Sequence, residues 1–142
     1  MFDSRGIDPK KVEVDENEAA TGSSAGRNFA VSGGVANAVV QVISRLEPER
    51  EMKIANADGL ANCRKLLQAA KQGKYDGYLL EGMGCPGGCV GGAGTMISLT
   101  KGNNAVAKTT KEAPYENPLD SEYSDYLRIV EENQGTDSES AK

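Results

Sequence analysis

The sequence predicts an α/β fold: a Rossmann-like, three-layer parallel sheet built from three strand–loop–helix units and followed by a C-terminal helix. Three observations carry this expectation. Between Asn28 and Leu99, short apolar runs alternate with longer segments of helical period. Each run ends in a glycine-bearing turn. Strands separated by helices require right-handed crossovers, and so a parallel sheet.

In the first unit, Phe29-Ala30-Val31 is the strand, Ser32-Gly33-Gly34 the turn, and a helix follows that Pro48 stops. Val35, Val39, Val42, Ile43 and Leu46 share one face of that helix. In the second unit, Met52 to Ala57 is the strand and Asp58 caps a helix that ends at Gly73. That helix aligns Leu60, Cys63, Leu67 and Ala70. The third unit runs from a strand over Tyr75 to Met83, through a loop of cysteine, proline and glycine, to a helix through Val90, Met96 and Ile97. In such a sheet the loops after the strands gather on one rim, where ligands bind. The rim would hold Ser32-Gly33-Gly34, Asp58-Gly59 and Cys85-Pro86-Gly87-Gly88-Cys89, and three helix N-termini there would favour an anion.

The flanks differ in composition. Residues 1–27 are acidic and turn-rich and read as a connector to the lobe at 28–99. Residues 100–133 read as a long loop, then a helix from about Asp120 to Asn133 with Tyr123, Leu127 and Val130 on its inner face. Residues 134–142 are small and polar, as in a disordered tail. The chain has 142 residues, of which 38% are hydrophobic, so its one core should be thin or completed by a neighbour. A formal net charge of -5 argues against nucleic acid and anionic membrane surfaces as partners. With no signal-peptide pattern and no apolar run of spanning length, the expected location is the cytoplasm.

Three cysteines and no histidine restrict the metal chemistry. Structural zinc and iron–sulfur cubanes usually take four such ligands. Any metal held by these thiolates would need further ligands from another chain or segment. The informative stretch is Glu81 to Thr95, E-G-M-G-C-P-G-G-C-V-G-G-A-G-T, a cysteine pair spaced C-x3-C. Pro86 stiffens the loop, while Gly87 and Gly88 let it fold against a bulky ligand. Cys89 would open a helix, whose dipole favours thiolate. Gly91, Gly92 and Gly94 would cost that helix about 1 kcal/mol each, a loss tolerated where something large lies against the backbone. The bland alternatives are a loop disulfide or two bystander thiols in a glycine turn.

This stretch resembles the third cysteine motif of the FeFe (iron-only) hydrogenases, Met-x-Cys-Pro-Gly-Gly-Cys-x-x-Gly-x-Gly preceded by Glu. Phe29-Ala30-Val31-Ser32-Gly33-Gly34-Val35 is similar to that family's Phe-Gly-x-Thr-Gly-Gly-Val. Gly59-Leu60-Ala61-Asn62-Cys63-Arg64-Lys65-Leu66-Leu67 is similar to its Gly-Leu-x-Asn-x-Arg-Lys-Leu-Leu. Order and spacing agree over roughly Gly6 to Leu99. The resemblance implies that Cys85 is a terminal ligand of a 4Fe-4S cubane. It implies that Cys89 bridges the cubane to a two-iron subcluster, the two units together forming the H-cluster. Met83 and Phe29 would line the cofactor pocket with Ser32, Gly33, Gly34, Pro86, Gly87 and Gly88. The activity implied for the intact enzyme is reversible reduction of protons to hydrogen, fed by ferredoxin or another iron–sulfur carrier.

Departures accompany the likeness. Gly84 stands where the family usually has Ala, and Gly91-Gly92-Ala93-Gly94-Thr95 where it has Gly-Gly-Gly-Gln-Pro. The two earlier family motifs, Thr-Ser-Cys-Cys-Pro and Met-Pro-Cys-x-x-Lys-x-x-Glu, are absent. The chain therefore resembles the C-terminal lobe alone. Its missing partner would be the N-terminal lobe, and the isolated chain would hold no catalytic residue and no complete cofactor. A non-catalytic sensing or binding module on the same fold is the alternative.

The remaining candidates read as structural. Cys63 lies on an apolar helix face and reads as core. Gly82 to Gly87 matches G-x-G-x-x-G, but after the third strand and through a proline, so it reads as chance. Glu81 reads as a strand-end acid, and Arg64-Lys65 as a solvated helix face.

Overall fold

The computed structural model describes residues 2–8, 10–13 and 21–124. Two parallel strands, β1 (Lys53–Asp58) and β2 (Tyr78–Met83), pair in register from Lys53 opposite Tyr78 to Asp58 opposite Met83. Helix α1 (Ser24–Arg27) is a single turn, and α2 (Gly34–Leu46) precedes β1. Helix α3 (Leu60–Lys71) makes the crossover from β1 to β2, and α4 (Leu99–Lys111) follows the cysteine loop.

Side chains alternate across a strand, so the register decides which helix covers which face. Asn56 and Glu81 are paired neighbours on one face, and both reach the loop that opens α2. Gly82 points the other way, and a Cβ there would sit 3.4 Å from the Cys63 sulfur of α3. The sheet is thus sandwiched between α2 and α3, which is the parallel α/β, three-layer class expected.

The first of the three expected strands does not form. Asn28–Ala30 is a 3-10 turn, and only Val31 is extended. The Val31 N–H closes onto the Asn28 carbonyl within that turn, so it is not available to a strand ladder. Nor does a helix start at Cys89. Cys89–Gly91 is one 3-10 turn, and Met96 is 95% exposed in the link that follows. The long loop expected after Leu99 is instead helical to Lys111, its first turn capped where the Lys101 N–H donates to the Ser98 hydroxyl. Few apolar residues mark that helix. Its buried residue is Gly102, whose bare Cα packs at Val90.

Helix faces also differ from the pattern. In α2 the buried residues are Gly34, Ala36 and Ala38, while Val39 and Leu46 are exposed. In α3 Leu66 is buried and Cys63 half-buried, but Leu60 and Leu67 are 77% and 63% exposed. Small residues let the backbones approach, so the close face of α2 is its alanine face. Asp58 ends β1 rather than capping α3. Gly59, at a φ of 73°, makes that turn.

Among the described residues the buried apolar side chains are Ala25, Ala36, Ala38, Leu66 and Val90, and no large side chain is fully enclosed. The core is thin, as the composition implied. The chain after α4 returns along α1 and α2: the Ser24 N–H donates to the Tyr115 carbonyl at 2.7 Å, Asn117 to that of Gln41 at 3.2 Å, and Arg45 pairs with Asp120 at 2.6 Å. Further 3-10 turns lie at Pro118–Asp120 and Glu122–Ser124, and the rest of the expected C-terminal helix falls outside the described residues.

Candidate metal centre

Three loops meet at the carboxyl end of the sheet. The Ser32 N–H donates to the Gly87 carbonyl at 3.1 Å, tying the first loop to the cysteine loop. The Asn56 side chain donates to the Ser32 hydroxyl at 3.3 Å, tying β1 to the first loop. A Cβ on Gly59 would sit 3.8 Å from Pro86, so the second loop abuts the third. The rim expected from topology is therefore present, and Cys85 and Cys89 stand on it.

Cys85 is half-buried and Cys89 exposed, and both are free thiols. Their loop turns tightly, with the Gly88 N–H donating to the Cys85 carbonyl and the Gly92 N–H to that of Cys89, each at 3.0 Å. Gly87 and Gly88 adopt φ of 79° and 95°, values that side chains resist. The space saved at these glycines is filled by the chain itself. A Cβ on Gly88 would lie 2.7 Å from both the Ala30 oxygen and the Ser32 nitrogen, and 2.9 Å from the Met83 sulfur. A Cβ on Gly87 would meet Leu99, and one on Gly91 would strike the Pro86 carbonyl. At Gly87, Gly88 and Gly91 the packing of the chain on itself already requires glycine.

Met83 lies beneath Gly88 at the loop's base. Phe29 lines a separate apolar groove of about 280 Å³ with Ala38, Val39, Val42, Ile43 and Pro118. A neighbouring cavity of about 310 Å³ runs along Val35, Val39, Leu79, Glu81 and Met83. Both depressions share Val39, so one open apolar face spans α2 and the edge of β2.

Cys63 lies below the rim. Its thiol donates to the carbonyls of Met83 at 3.3 Å and Ala57 at 3.5 Å, stitching the ends of both strands. This agrees with a structural reading.

Glu81 does more than end a strand. Its two carboxylate oxygens accept the Gly33 N–H at 3.0 Å and the Ala36 N–H at 2.9 Å. The N-cap of α2 is Gly33, which has no side chain to bond the first-turn amides, so an acceptor must come from elsewhere. The helix-terminal field expected to attract a ligand is occupied here by the chain's own carboxylate. A helix opening on Ser-Gly-Gly, without a capping side chain of its own, was the signal for such a partner.

Two thiols on one loop match part of a cluster's donor set. Among the described residues no group of three or more His, Cys, Asp or Glu converges on a point. Fold and loop together define a parallel α/β lobe that presents two thiols at the carboxyl rim of its sheet. The family described as "Iron only hydrogenase large subunit, C-terminal domain" matches residues 1–93, and the chain belongs to that family. It is also similar to a probable cytosolic Fe-S cluster assembly factor of Drosophila virilis, 36% identical over 87 residues. A Drosophila mojavensis protein of the same description is 34% identical over 87 residues. Each alignment covers 54% of this chain and 18% of the relative, so the chain spans less than a fifth of those relatives' length. No helix among the described residues is long and apolar enough to cross a membrane.

Proposed function

We propose that this chain is the C-terminal lobe of a hydrogenase-like iron–sulfur protein and supplies two cysteine ligands to its cluster. Cys85 would hold one iron of a 4Fe-4S cubane. Cys89 would bridge the cubane to a two-iron subcluster in a protein that reversibly reduces protons to hydrogen. The single observation that carries the reading is the gathering of three rim loops about a C-x3-C pair, in a chain whose family is that of iron-only hydrogenases. When bound, the H-cluster would supply the redox chemistry. The chain's own part is to hold thiolates at fixed positions and to limit access from below through Met83. The other ligands would come from an N-terminal lobe, which would also cover the apolar face of α2 and β2. The isolated chain is then inactive. Electrons would arrive from ferredoxin or a similar carrier in the cytoplasm, without nucleic acid or membrane.

A second reading is a non-catalytic iron–sulfur module. It is favoured by the relatives' description as cluster assembly factors, and by Gly84, Ala93, Gly94 and Thr95, which depart from the hydrogenase motif. Anaerobic purification of the full-length protein with its maturation machinery separates the two. Iron, electron spin resonance and hydrogen evolution together support the first reading. Iron with a cubane signal and no hydrogen evolution supports the second. A protein that binds no iron overturns both.

A further inference from the structure

We propose that Glu81 is a positioning residue for the cysteine pair, acting through the Ser32–Gly34 loop. The inference rests on the reading of Cys85 and Cys89 as thiolate ligands, and adds the residue that sets their geometry. The Glu81 carboxylate fixes the Gly33 and Ala36 amides at 3.0 and 2.9 Å, and with them the opening of α2. Asn56, its register partner on β1, holds the Ser32 hydroxyl of the same loop. Ser32 then holds the Gly87 carbonyl, midway between the two cysteines, at 3.1 Å. The chain of contacts runs from sheet to carboxylate to helix opening to cysteine loop.

Its neighbours leave this loop little freedom. Gly34 has no room for a Cβ against the Asn28 carbonyl. Gly33 sits at a φ of 88°, over the Asn56 amide. Gly88 is wedged between Ala30, Ser32 and Met83. A shift in the Ser32–Gly34 backbone must therefore move Gly87 and Gly88, and the spacing of the flanking thiols with them. A charged acceptor gives stronger hydrogen bonds to amides than a neutral one. Glutamine keeps one acceptor oxygen and turns an NH2 group toward the second amide, so its effect should be intermediate.

The test uses the 142-residue chain, reduced and anaerobic, with Cys63→Ala to remove the third thiol. Cadmium(II) is the probe, followed by its thiolate charge-transfer absorption. Cadmium binding that disappears with Cys85→Ser or Cys89→Ser identifies the pair as the chelate. In that background Glu81→Ala should weaken cadmium by roughly 10- to 100-fold, the range typical of outer partners of metal ligands, and Glu81→Gln by less. Leu66→Ala, buried under the opposite face of the sheet, should lower thermal stability without changing cadmium affinity. Wild-type affinity in both Glu81 variants overturns the proposal while leaving the ligand reading intact. Cadmium binding indifferent to both cysteine substitutions overturns the ligand reading, and this inference with it. Should the variants not fold, amide hydrogen exchange on the parent chain decides. Slow exchange at Gly33 and Ala36 supports the latch, and exchange at open-loop rates overturns it.

Discussion

The Ser32 amide and the Gly87 carbonyl, 3.1 Å apart, join two loops that lie more than fifty residues apart in the chain. That bond ties the opening of α2 to the cysteine loop. The glycines on either side decide how tightly they are joined.

Gly88→Ala should be far more damaging than Gly94→Ala. Both glycines have positive φ, 95° and 90°, so each substitution carries about 1–3 kcal/mol of backbone strain. Only at Gly88 does the new Cβ also collide with Ala30, Ser32 and Met83, whereas Gly94 has open space. Urea unfolding of the two variants measures the difference. Equal losses would refute the packing described for the loop.

Gly102→Ala should stabilise the chain by roughly 0.5–1 kcal/mol, because alanine restricts the unfolded chain and favours the helix. The added Cβ would lie 3.5 Å from that of Val90, an ordinary contact. Gly34→Ala in α2 should fail to fold, since its Cβ would run into the Asn28 carbonyl. Thermal melts of both variants check the pair of signs.

Cys63→Ala should cost about 1–2 kcal/mol from lost packing and a weak hydrogen bond, with no loss of iron in the full-length protein. Among the described residues its thiol bonds to the carbonyls of Ala57 and Met83. Iron content that falls with Cys63→Ala would overturn this assignment.

In the full-length protein Cys89→Ser should abolish both two-iron incorporation and hydrogen evolution. Cys85→Ser should impair the cubane more mildly, since a terminal site accepts an oxygen ligand more readily than a bridging one. Iron analysis and gas evolution on the single variants give the comparison. The reverse ranking would exchange the two roles.

The sequence alone determined the parallel class, both strands, helices α2 and α3, and the C-x3-C loop at the sheet's carboxyl rim. These rest on local signals: apolar runs of strand length, helical period, and glycine or proline at the ends. The thin core was also legible, because composition limits how much apolar surface can be buried. Tertiary structure decided the rest. The run Phe29 to Val31 has strand-like residues, but Asn28–Ala30 winds into a 3-10 turn in which the Val31 N–H bonds the Asn28 carbonyl. Residues 99–111 look like a loop, yet they form α4, because Gly102 lets the helix approach Val90 and Ser98 satisfies its first turn. Periodicity showed that α3 has an apolar side but not that Leu66 rather than Leu67 is the one enclosed. A hydrophobic stripe is a property of the segment, whereas burial depends on what packs against it. Glu81 shows the same division: its place beside the motif is written in the chain, but its bonds to Gly33 and Ala36 exist only once β2 lies beneath α2.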